Sequence, residues 1–340
     1  MARHPWVAEA ERGVRFGVQL IVPDAPEALP NLVETAREVE DLGFDALFVF
    51  DHPAIHVDNW LALAGIATAT RRLRLGSAVN CAWYRHPAYL ARLAADLDNL
   101  SRGRLILGLG SGWLEYEYRA LGVPFLRVPE RQAGLDEALA IVAGAWGEAP
   151  FDFAGRHFRT EGLRITPRPV QQPRPPVLIG GSGERVTLRQ VARAGDACNV
   201  KEDPPGDGGP DGIPAGTMDL PTRAAGVRRK LEALARHCAE LGRPADEVLR
   251  THFTLYLVLA PTAAEAARKV AAIDAALSTS PGTRRDGKQG MIHGTPEQVA
   301  AYYRALVEVG IQYFVVQLDG TDRETIRLLA EEVTPAVRAR

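Results

Sequence analysis

The feature of this sequence that most constrains its fold is the regular alternation of short apolar runs with stretches of helical periodicity. The apolar runs lie at 15–22, 45–50, 72–79, 104–110, 175–181, 196–200, 251–259 and 312–318. Such an alternation is typical of βα units around a parallel sheet. Eight units in one chain favour a closed (β/α)8 barrel, the TIM barrel of the α/β class, over an open doubly wound sheet.

Two segments depart from this repeat. Residues 148–175 include "FDFAGRHFRT", whose alternating aromatic residues around "AGR" predict an inserted β-hairpin. Residues 201–221 are dense in Pro, Gly and Asp and predict a mobile loop, which is either a lid over the barrel mouth or plain disorder. We expect a single domain over residues 1–340, with the barrel itself spanning about 14–338 and carrying both insertions.

Composition narrows the class of partner. A formal net charge of -2 and a pI near 6.5 provide no basic surface for nucleic acid or an anionic membrane. No run approaches the roughly 20 apolar residues of a membrane-spanning helix, and the N-terminus lacks a signal-peptide pattern. Cys81, Cys198 and Cys238 lie far apart and predict neither a zinc site nor disulfides. We expect a cytoplasmic protein that acts on a small molecule.

An acidic residue and a histidine follow the second apolar run. In TIM barrels the catalytic groups lie at the carboxyl ends of the strands, which is where Asp51 and His52 would stand. A histidine there can donate or accept a proton, and a neighbouring carboxylate can orient it. A metal site with His56 and Asp58 is an alternative, but no zinc-motif spacing is present and we expect no metal. A histidine that only caps the next loop is the structural alternative.

Glycine-rich turns follow the fourth and fifth runs. "GLGSGW" (108–113) lacks the third glycine of a dinucleotide fingerprint because Trp113 stands in its place. "IGGSGE" (179–184) directly precedes a helix and predicts a loop that binds phosphate through backbone N–H groups. A phosphorylated cofactor would fit this second loop. Tight βα turns alone are the alternative explanation of these glycines.

Taken together and in order, these segments resemble the bacterial luciferase-like monooxygenase superfamily, and within it the branch that uses the deazaflavin coenzyme F420. The resemblance covers most of residues 15–200. It rests on the run 84–118, "YRHPAYLARLAADLDNLSRGRLILGLGSGWLEYEY", and on "FDFAGRHFR", "PRPVQQPRPPVLIGGSGE", "RAGDACNV", "GTPEQV" and "YFVVQL". It implies a (β/α)8 barrel with the cofactor at the carboxyl ends of the strands.

The resemblance also implies roles for individual residues. Asp51 would contact the cofactor ring, His52 would be the catalytic acid or base, and Asn80 would hydrogen-bond near the ring. Ser77 and Ala78 match the position of a non-proline cis peptide behind the ring. The ribityl chain and phosphate would be held by two loops, formed by Gly110, Ser111 and Gly112 and by Gly180, Gly181, Ser182 and Gly183. The substrate pocket would be shaped by Trp83, Tyr84, Trp113 and His56.

One departure from the pattern concerns the substrate. Family members that oxidise glucose 6-phosphate carry a glutamate where Trp113 stands and a tryptophan where His56 stands, so sugar-phosphate oxidation is not expected. The resemblance favours hydride transfer between F420 and an unidentified small organic substrate. The alternatives are an FMN-dependent monooxygenase supplied by a separate flavin reductase and a non-catalytic flavin- or deazaflavin-binding protein. A homodimer is left open, since relatives are often dimers.

Overall fold

Parallel strands form the centre of the protein. The computed structural model describes residues 3–22, 25–202, 213–277 and 291–339, with the backbone alone for 274–277. Within these residues the barrel strands are Arg15–Ile21 (β1), Ala46–Val49 (β2), Arg74–Ser77 (β3), Leu105–Gly110 (β4), Val177–Gly180 (β5), Ala197–Asn199 (β6), Thr251–Thr254 (β7) and Tyr313–Asp319 (β8). Neighbouring strands pair in the order β7-β8-β1-β2-β3-β4-β5-β6.

Backbone hydrogen bonds close the barrel between β6 and β7. Val200 N donates to Thr251 O at 3.0 Å, and Phe253 N donates to Val200 O at 2.9 Å. The predicted (β/α)8 barrel is therefore confirmed. The strands are short and buried on both faces, which explains why they are continuous apolar runs in the sequence.

Helices alternate with the strands and cover the outside of the barrel. They are Ala28–Asp41 (α1), Asn59–Ala69 (α2), Pro87–Leu100 (α3), Val128–Ala145 (α4), Thr187–Ala194 (α5), Leu220–Glu240 (α6), Pro296–Glu308 (α7) and a last segment (α8) made of Arg323–Leu328, the π-helical turn Leu329–Val333 and Thr334–Arg338. α7 begins with the capping box of "GTPEQV", in which Thr295 and Gln298 exchange hydrogen bonds. No helix among the described residues combines the length and apolar character needed to cross a membrane.

The bottom of the barrel is plugged by apolar side chains. Trp6, from the short helix Pro5–Ala8, packs edge-on against Tyr313 with ring centroids 5.6 Å apart. It belongs to the cluster that fills the barrel interior together with Phe48, Ile106 and Val315. Because this end is filled, a small molecule can approach the interior only at the carboxyl ends of the strands.

The predicted hairpin is confirmed, and the predicted seventh strand is wrong in its second half. Phe151–Ala154 and Arg159–Leu163 pair antiparallel. The run 251–259 breaks at Tyr256, which has a φ of 50°, and Leu257–Leu259 leaves the barrel to pair with Ile292–Gly294 in a separate small sheet. Both halves are apolar and buried, so hydrophobicity alone does not reveal the turn between them.

The segment 201–221 is only partly described. The predicted mobile loop falls largely on residues 203–212, which lie outside the described residues. Its later part is regular: Ile213–Pro214 joins the small sheet, Ala215–Thr217 forms a 3-10 turn, and α6 begins at Leu220. The remaining elements are the 3-10 turns Glu9–Arg12 and Ala245–Glu247, the strand Asn80–Cys81, and the helices Glu115–Ala120 and Ala263–Leu277.

Candidate active site

Asp51 lies at the end of β2 and is held by an arginine. Arg85 Nη1 donates to both carboxylate oxygens, at 2.9 and 2.8 Å, and Cys81 N donates to Oδ2 at 3.1 Å. Arg85 Nη2 also donates to Asp58 Oδ2 at 3.1 Å. Burial raises the pKa of Asp51, although Arg85 opposes the increase. Asp51 thus braces the segment after β3, and its contact with a cofactor ring stays a prediction.

His52 is the next residue, and its two ring nitrogens have different environments. Nδ1 lies 2.5 Å from Glu117 Oε2, whereas Nε2 has no hydrogen-bond partner among the described residues. Glu117 belongs to the short helix Glu115–Ala120 and its side chain is completely buried. Tyr84 Oη donates to the same oxygen of Glu117 at 3.1 Å. The predicted residues His52 and Tyr84 are therefore joined by a carboxylate that the sequence analysis missed.

Aromatic side chains surround His52. Phe50 contacts both histidines of this segment, with ring centroids 5.2 Å from His52 and 4.2 Å from His56. Trp113 meets the His52 ring edge-on at 5.9 Å and is 58% exposed. Burial lowers the pKa of His56 to about 4, so this imidazole is neutral near pH 7. Of the residues predicted for the substrate pocket, His56, Tyr84 and Trp113 thus lie close to His52 or to its carboxylate partner.

Trp83, the fourth of those residues, has contacts of a different kind. Its Nε1 donates to Arg131 O in α4 at 3.2 Å. Its ring packs against His157 and Phe158 of the inserted hairpin, with centroids 5.1 and 5.5 Å away. These contacts anchor the hairpin to the barrel, and the place of Trp83 in the substrate pocket stays a prediction.

A non-proline cis peptide is present after β3, but it joins Ala78 to Val79, one residue later than predicted. Ala78 O accepts a hydrogen bond from Gln19 Nε2 at 2.6 Å. Gln317 Nε2 in turn donates to Gln19 Oε1 at 2.9 Å. These two glutamines, near the carboxyl ends of β1 and β8, were missed in the sequence, and they hold the carbonyl of Ala78 in place.

Ser77 and Asn80, on either side of the cis peptide Ala78–Val79, are completely buried. Asn80 Nδ2 donates to Ser77 Oγ at 2.6 Å and to Gly108 O at 3.1 Å. Ser77 Oγ accepts from Gly108 N at 2.9 Å. The side chains of both residues are thus used within the protein, and the prediction that they contact the cofactor stays a prediction.

Two of the predicted cofactor glycines have a packing role. A Cβ on Gly110 would lie 2.7 Å from the side chain of Val79, and one on Gly180 would lie 2.9 Å from it. Both distances are shorter than real carbon contacts, so the side chain of Val79 fits only because these positions are glycine. Gly181, by contrast, is exposed and has a φ of 121°, which favours glycine for conformational reasons.

The loop Gly180, Gly181, Ser182 and Gly183 lies next to a lysine. Ser182 Oγ accepts from Lys201 N at 2.9 Å, just after β6. Although much of Lys201 is exposed, its ammonium lies 4.9 Å from the Phe253 ring centre, and loss of hydration there lowers its pKa. Among the described residues this ammonium has no acidic partner. Lys201 was also missed in the sequence, where nothing distinguishes it from a surface lysine.

Buried amide oxygens lie beside the turn after β4. Gln132 Nε2 donates to Ser111 Oγ at 3.1 Å, and Gln190 Nε2 donates to Gln132 O at 3.0 Å. The Oε1 atoms of Gln132 and Gln190 are buried without a partner among the described residues. Gly112 O accepts from Arg131 Nη1 at 2.5 Å. An unpaired buried acceptor is costly, so this turn suits a ligand with hydroxyl groups.

Metal-ligating side chains are dispersed. The described residues contain no group of three or more His, Cys, Asp or Glu side chains placed to hold a metal ion. Cys81, Cys198 and Cys238 are buried thiols without disulfide partners. Burial raises the pKa of Cys81 to about 11, so its thiol is protonated near pH 7.

The sequence profile of the luciferase-like monooxygenases matches residues 14–207 of this chain, which is more than half of its length. The chain belongs to the luciferase-like monooxygenase family. The matched residues include β1 to β6, His52, Glu117 and both glycine-rich turns. The imidazole and the loops described above therefore lie within the part of the chain that matches the family.

This luciferase-like protein is similar to enzymes of more than one kind. The F420-dependent glucose-6-phosphate dehydrogenase of Kineococcus radiotolerans is 29% identical over 336 residues, covering 91% of this chain and 93% of the relative. The coenzyme F420-dependent tetrahydromethanopterin reductase from Methanopyrus kandleri has a TM-score of 0.73 at 20% identity, covering 95% and 99%. The monooxygenase RslO1 from Streptomyces bottropensis has a TM-score of 0.74 at 22% identity, covering 94% and 99%. Both structures share the fold.

Proposed function

We propose that the protein is an oxidoreductase that transfers a hydride between coenzyme F420 and a small organic substrate. The observation that carries the proposal is the free Nε2 of His52 at the barrel mouth, in a barrel that also has a glycine-rich loop after β5 and an ammonium after β6. The name of the F420-dependent relative, which aligns over nearly the whole chain, supports the choice of deazaflavin.

The residues of the mouth fit such a cofactor. The exposed loop Gly180–Gly183 ahead of α5 suits a phosphate, and the unpaired amide oxygens of Gln132 and Gln190 suit the hydroxyl groups of a ribityl chain. The bend Ala78–Val79, braced by Gln19, would support the ring. When bound, F420 supplies the ring carbon that accepts or releases the hydride.

His52 would move the proton that accompanies the hydride. In the oxidation of an alcohol, Nε2 accepts the hydroxyl proton as the hydride leaves the neighbouring carbon. In the reduction of a carbonyl compound, the same nitrogen returns the proton to the new alkoxide oxygen. The rings of Phe50 and Trp113 lie against the His52 imidazole, and His56 nearby is neutral. Sugar-phosphate oxidation is not part of the proposal.

We also propose that α2 docks against a second copy of the chain. The helix Asn59–Ala69 contains no charged residue, and its Leu61 is 67% exposed. A helix that is apolar on every side is normally buried. We therefore expect the outer face of α2 to be covered by another protein surface. A closed homodimer in which α2 contacts the same region of the other copy provides one.

Titration of the cofactor-free protein with oxidised F420 and, separately, with FMN tests the cofactor assignment. Gly181→Asp adds a side chain and a negative charge to the exposed loop, and we expect it to abolish F420 binding. Gly242→Asp controls for placing a charged side chain at a positive-φ glycine, because Gly242 has a φ of 66° and lies just after α6. The two sites differ in that a Cβ on Gly181 would lie 3.1 Å from Thr187 Cγ2, whereas nothing lies within 4 Å of one on Gly242. Tight FMN binding instead would favour a monooxygenase with a separate reductase, and binding of neither would refute the proposal.

A further inference from the structure

Glu117 is a buried carboxylate whose polar contacts converge on the candidate catalytic residue. Its side chain is 0% exposed, and its Oε2 lies 2.5 Å from His52 Nδ1. Ala54 N donates to Oε1 at 3.3 Å, and Tyr84 Oη donates to Oε2 at 3.1 Å. Among the described residues it meets no arginine or lysine. A buried charge of this kind is retained only if its hydrogen bonds compensate for the lost hydration.

The helix that carries Glu117 is firmly attached to the site. The neighbouring residue, Tyr118, is fully buried, and its hydroxyl donates to Ser111 O at 3.1 Å. The outer side of the same helix carries Glu115, which pairs with Arg119 in solvent at 2.6 Å. Glu117 is therefore fixed in position relative to the turn after β4, whereas Glu115 has only a surface contact.

We propose that Glu117 fixes the tautomer of His52, so that the ring carries hydrogen at Nδ1 and leaves Nε2 available for proton transfer. An ionised carboxylate can only accept hydrogen bonds, and an imidazole facing it must present N–H. Burial raises the pKa of Tyr84, so its hydroxyl keeps its hydrogen and donates it to the same oxygen. The proposal names a positioning residue for the hydride transfer proposed above and rests on that function.

The arrangement gives His52 two useful states. With the neutral ring held by Glu117, Nε2 has a lone pair that accepts the hydroxyl proton of an alcohol. As the O–H bond breaks and N–H forms, the C–H electron pair leaves as hydride to the oxidised cofactor and the C=O bond is completed. The resulting imidazolium remains paired with Glu117. In the reverse direction the imidazolium donates the proton from Nε2.

The variant Glu117→Gln tests which tautomer the His52 ring adopts. Ala54 N–H can only donate, so the new amide oxygen faces Ala54 and the amide NH2 group takes the place of Oε2. The NH2 group then donates to Nδ1, which must give up its hydrogen, while Tyr84 Oη can turn to accept. We expect the neutral ring of His52 to change from the Nδ1–H to the Nε2–H tautomer in this variant.

Nitrogen-15 NMR of histidine-labelled, cofactor-free protein measures the tautomer of His52 directly. The variant His52→Asn is used to assign the signals. Glu115→Gln, the same change on the exposed side of the same helix, should leave the His52 signals unaltered. In the native protein the Nδ1 signal should be that of a protonated nitrogen. A native neutral ring with hydrogen at Nε2 overturns the proposal even if the Glu117 variant does not fold, and so does an unchanged tautomer in a folded variant.

In the loaded enzyme we expect Glu117→Gln to lower kcat about 100-fold, within the range of general acid–base catalysis, with KM changed less than about threefold. An unchanged kcat overturns the catalytic part of the proposal. Failure of F420 to bind would instead refute the proposed function and leave the tautomer measurement valid. A wrong tautomer with normal F420 binding would refute only the role of Glu117.

Discussion

Removal of Arg85 tests whether the Asp51 carboxylate is held as a buried charge. The Asp51 side chain is 1% exposed, and Arg85 is the only cation that contacts it among the described residues. In Arg85→Met, Asp51 keeps a single hydrogen bond, from Cys81 N. Breaking a buried pair by removing one partner costs about 3–5 kcal/mol, so the free energy of unfolding at pH 7 should fall by about that amount.

The loss of unfolding free energy in Arg85→Met should become smaller as the pH falls. Burial already raises the pKa of Asp51, and removal of the opposing arginine raises it further in the folded variant. In the unfolded chain the Asp51 carboxyl has an ordinary pKa and is ionised above pH 5. Between pH 5 and the raised pKa, the folded variant therefore binds one proton that the unfolded chain does not. Stability of the variant relative to the native protein therefore rises as pH falls, by up to about 1.4 kcal/mol per pH unit.

Urea denaturation at pH 7 and pH 5.5 measures both effects, and Arg85→Met with Asp51→Asn removes the buried charge together with its partner. We expect the double variant to be more stable than Arg85→Met at pH 7 and to lose the pH dependence. Arg119→Met is the control, because Arg119 pairs with Glu115 at the surface and its loss should cost less than about 1 kcal/mol. An equal loss at both pH values, with no recovery in the double variant, would refute this account of Asp51.

Three further outcomes are expected. His52→Gln should lower the rate of hydride transfer at least about 100-fold while F420 fluorescence titration shows unchanged binding. Gly180→Ala should lower the free energy of unfolding by about 1–3 kcal/mol because its Cβ meets Val79, and Val79→Ala in the same chain should recover most of that loss in urea denaturation. Leu61→Glu should convert a dimer into a monomer in light-scattering measurements, since it places a charge in an apolar interface.

Most of the barrel was predictable because its strands are short, parallel and buried on both sides. Each such strand is a continuous apolar run, and the run stops at the polar residues that follow the strand, as at Asp51 after Ala46–Val49. The same rule fails at Tyr256, where the apolar run continues but the chain changes sheets. Apolar periodicity records burial and carries no information on which neighbour buries a residue.

The candidate site was predictable in part for the same reason. The strand-end positions of Asp51 and His52 follow from barrel geometry, and both glycine-rich turns precede helical segments as expected. Glu117 and Glu115 illustrate what was not predictable. They stand two residues apart in "LEYEY", yet one is buried against His52 and the other faces solvent.

The sequence by itself determined the barrel, and it placed the candidate site and its histidine at the carboxyl ends of the strands. These depend on hydrophobic periodicity and on residues adjacent in the chain. Only the tertiary structure decided which nitrogen of His52 is free, that Gly110 and Gly180 accommodate Val79, and that Gln19 holds Ala78 O. The physical reason is that hydrogen bonds and close contacts join side chains from different strands and helices, whose distances no local pattern encodes.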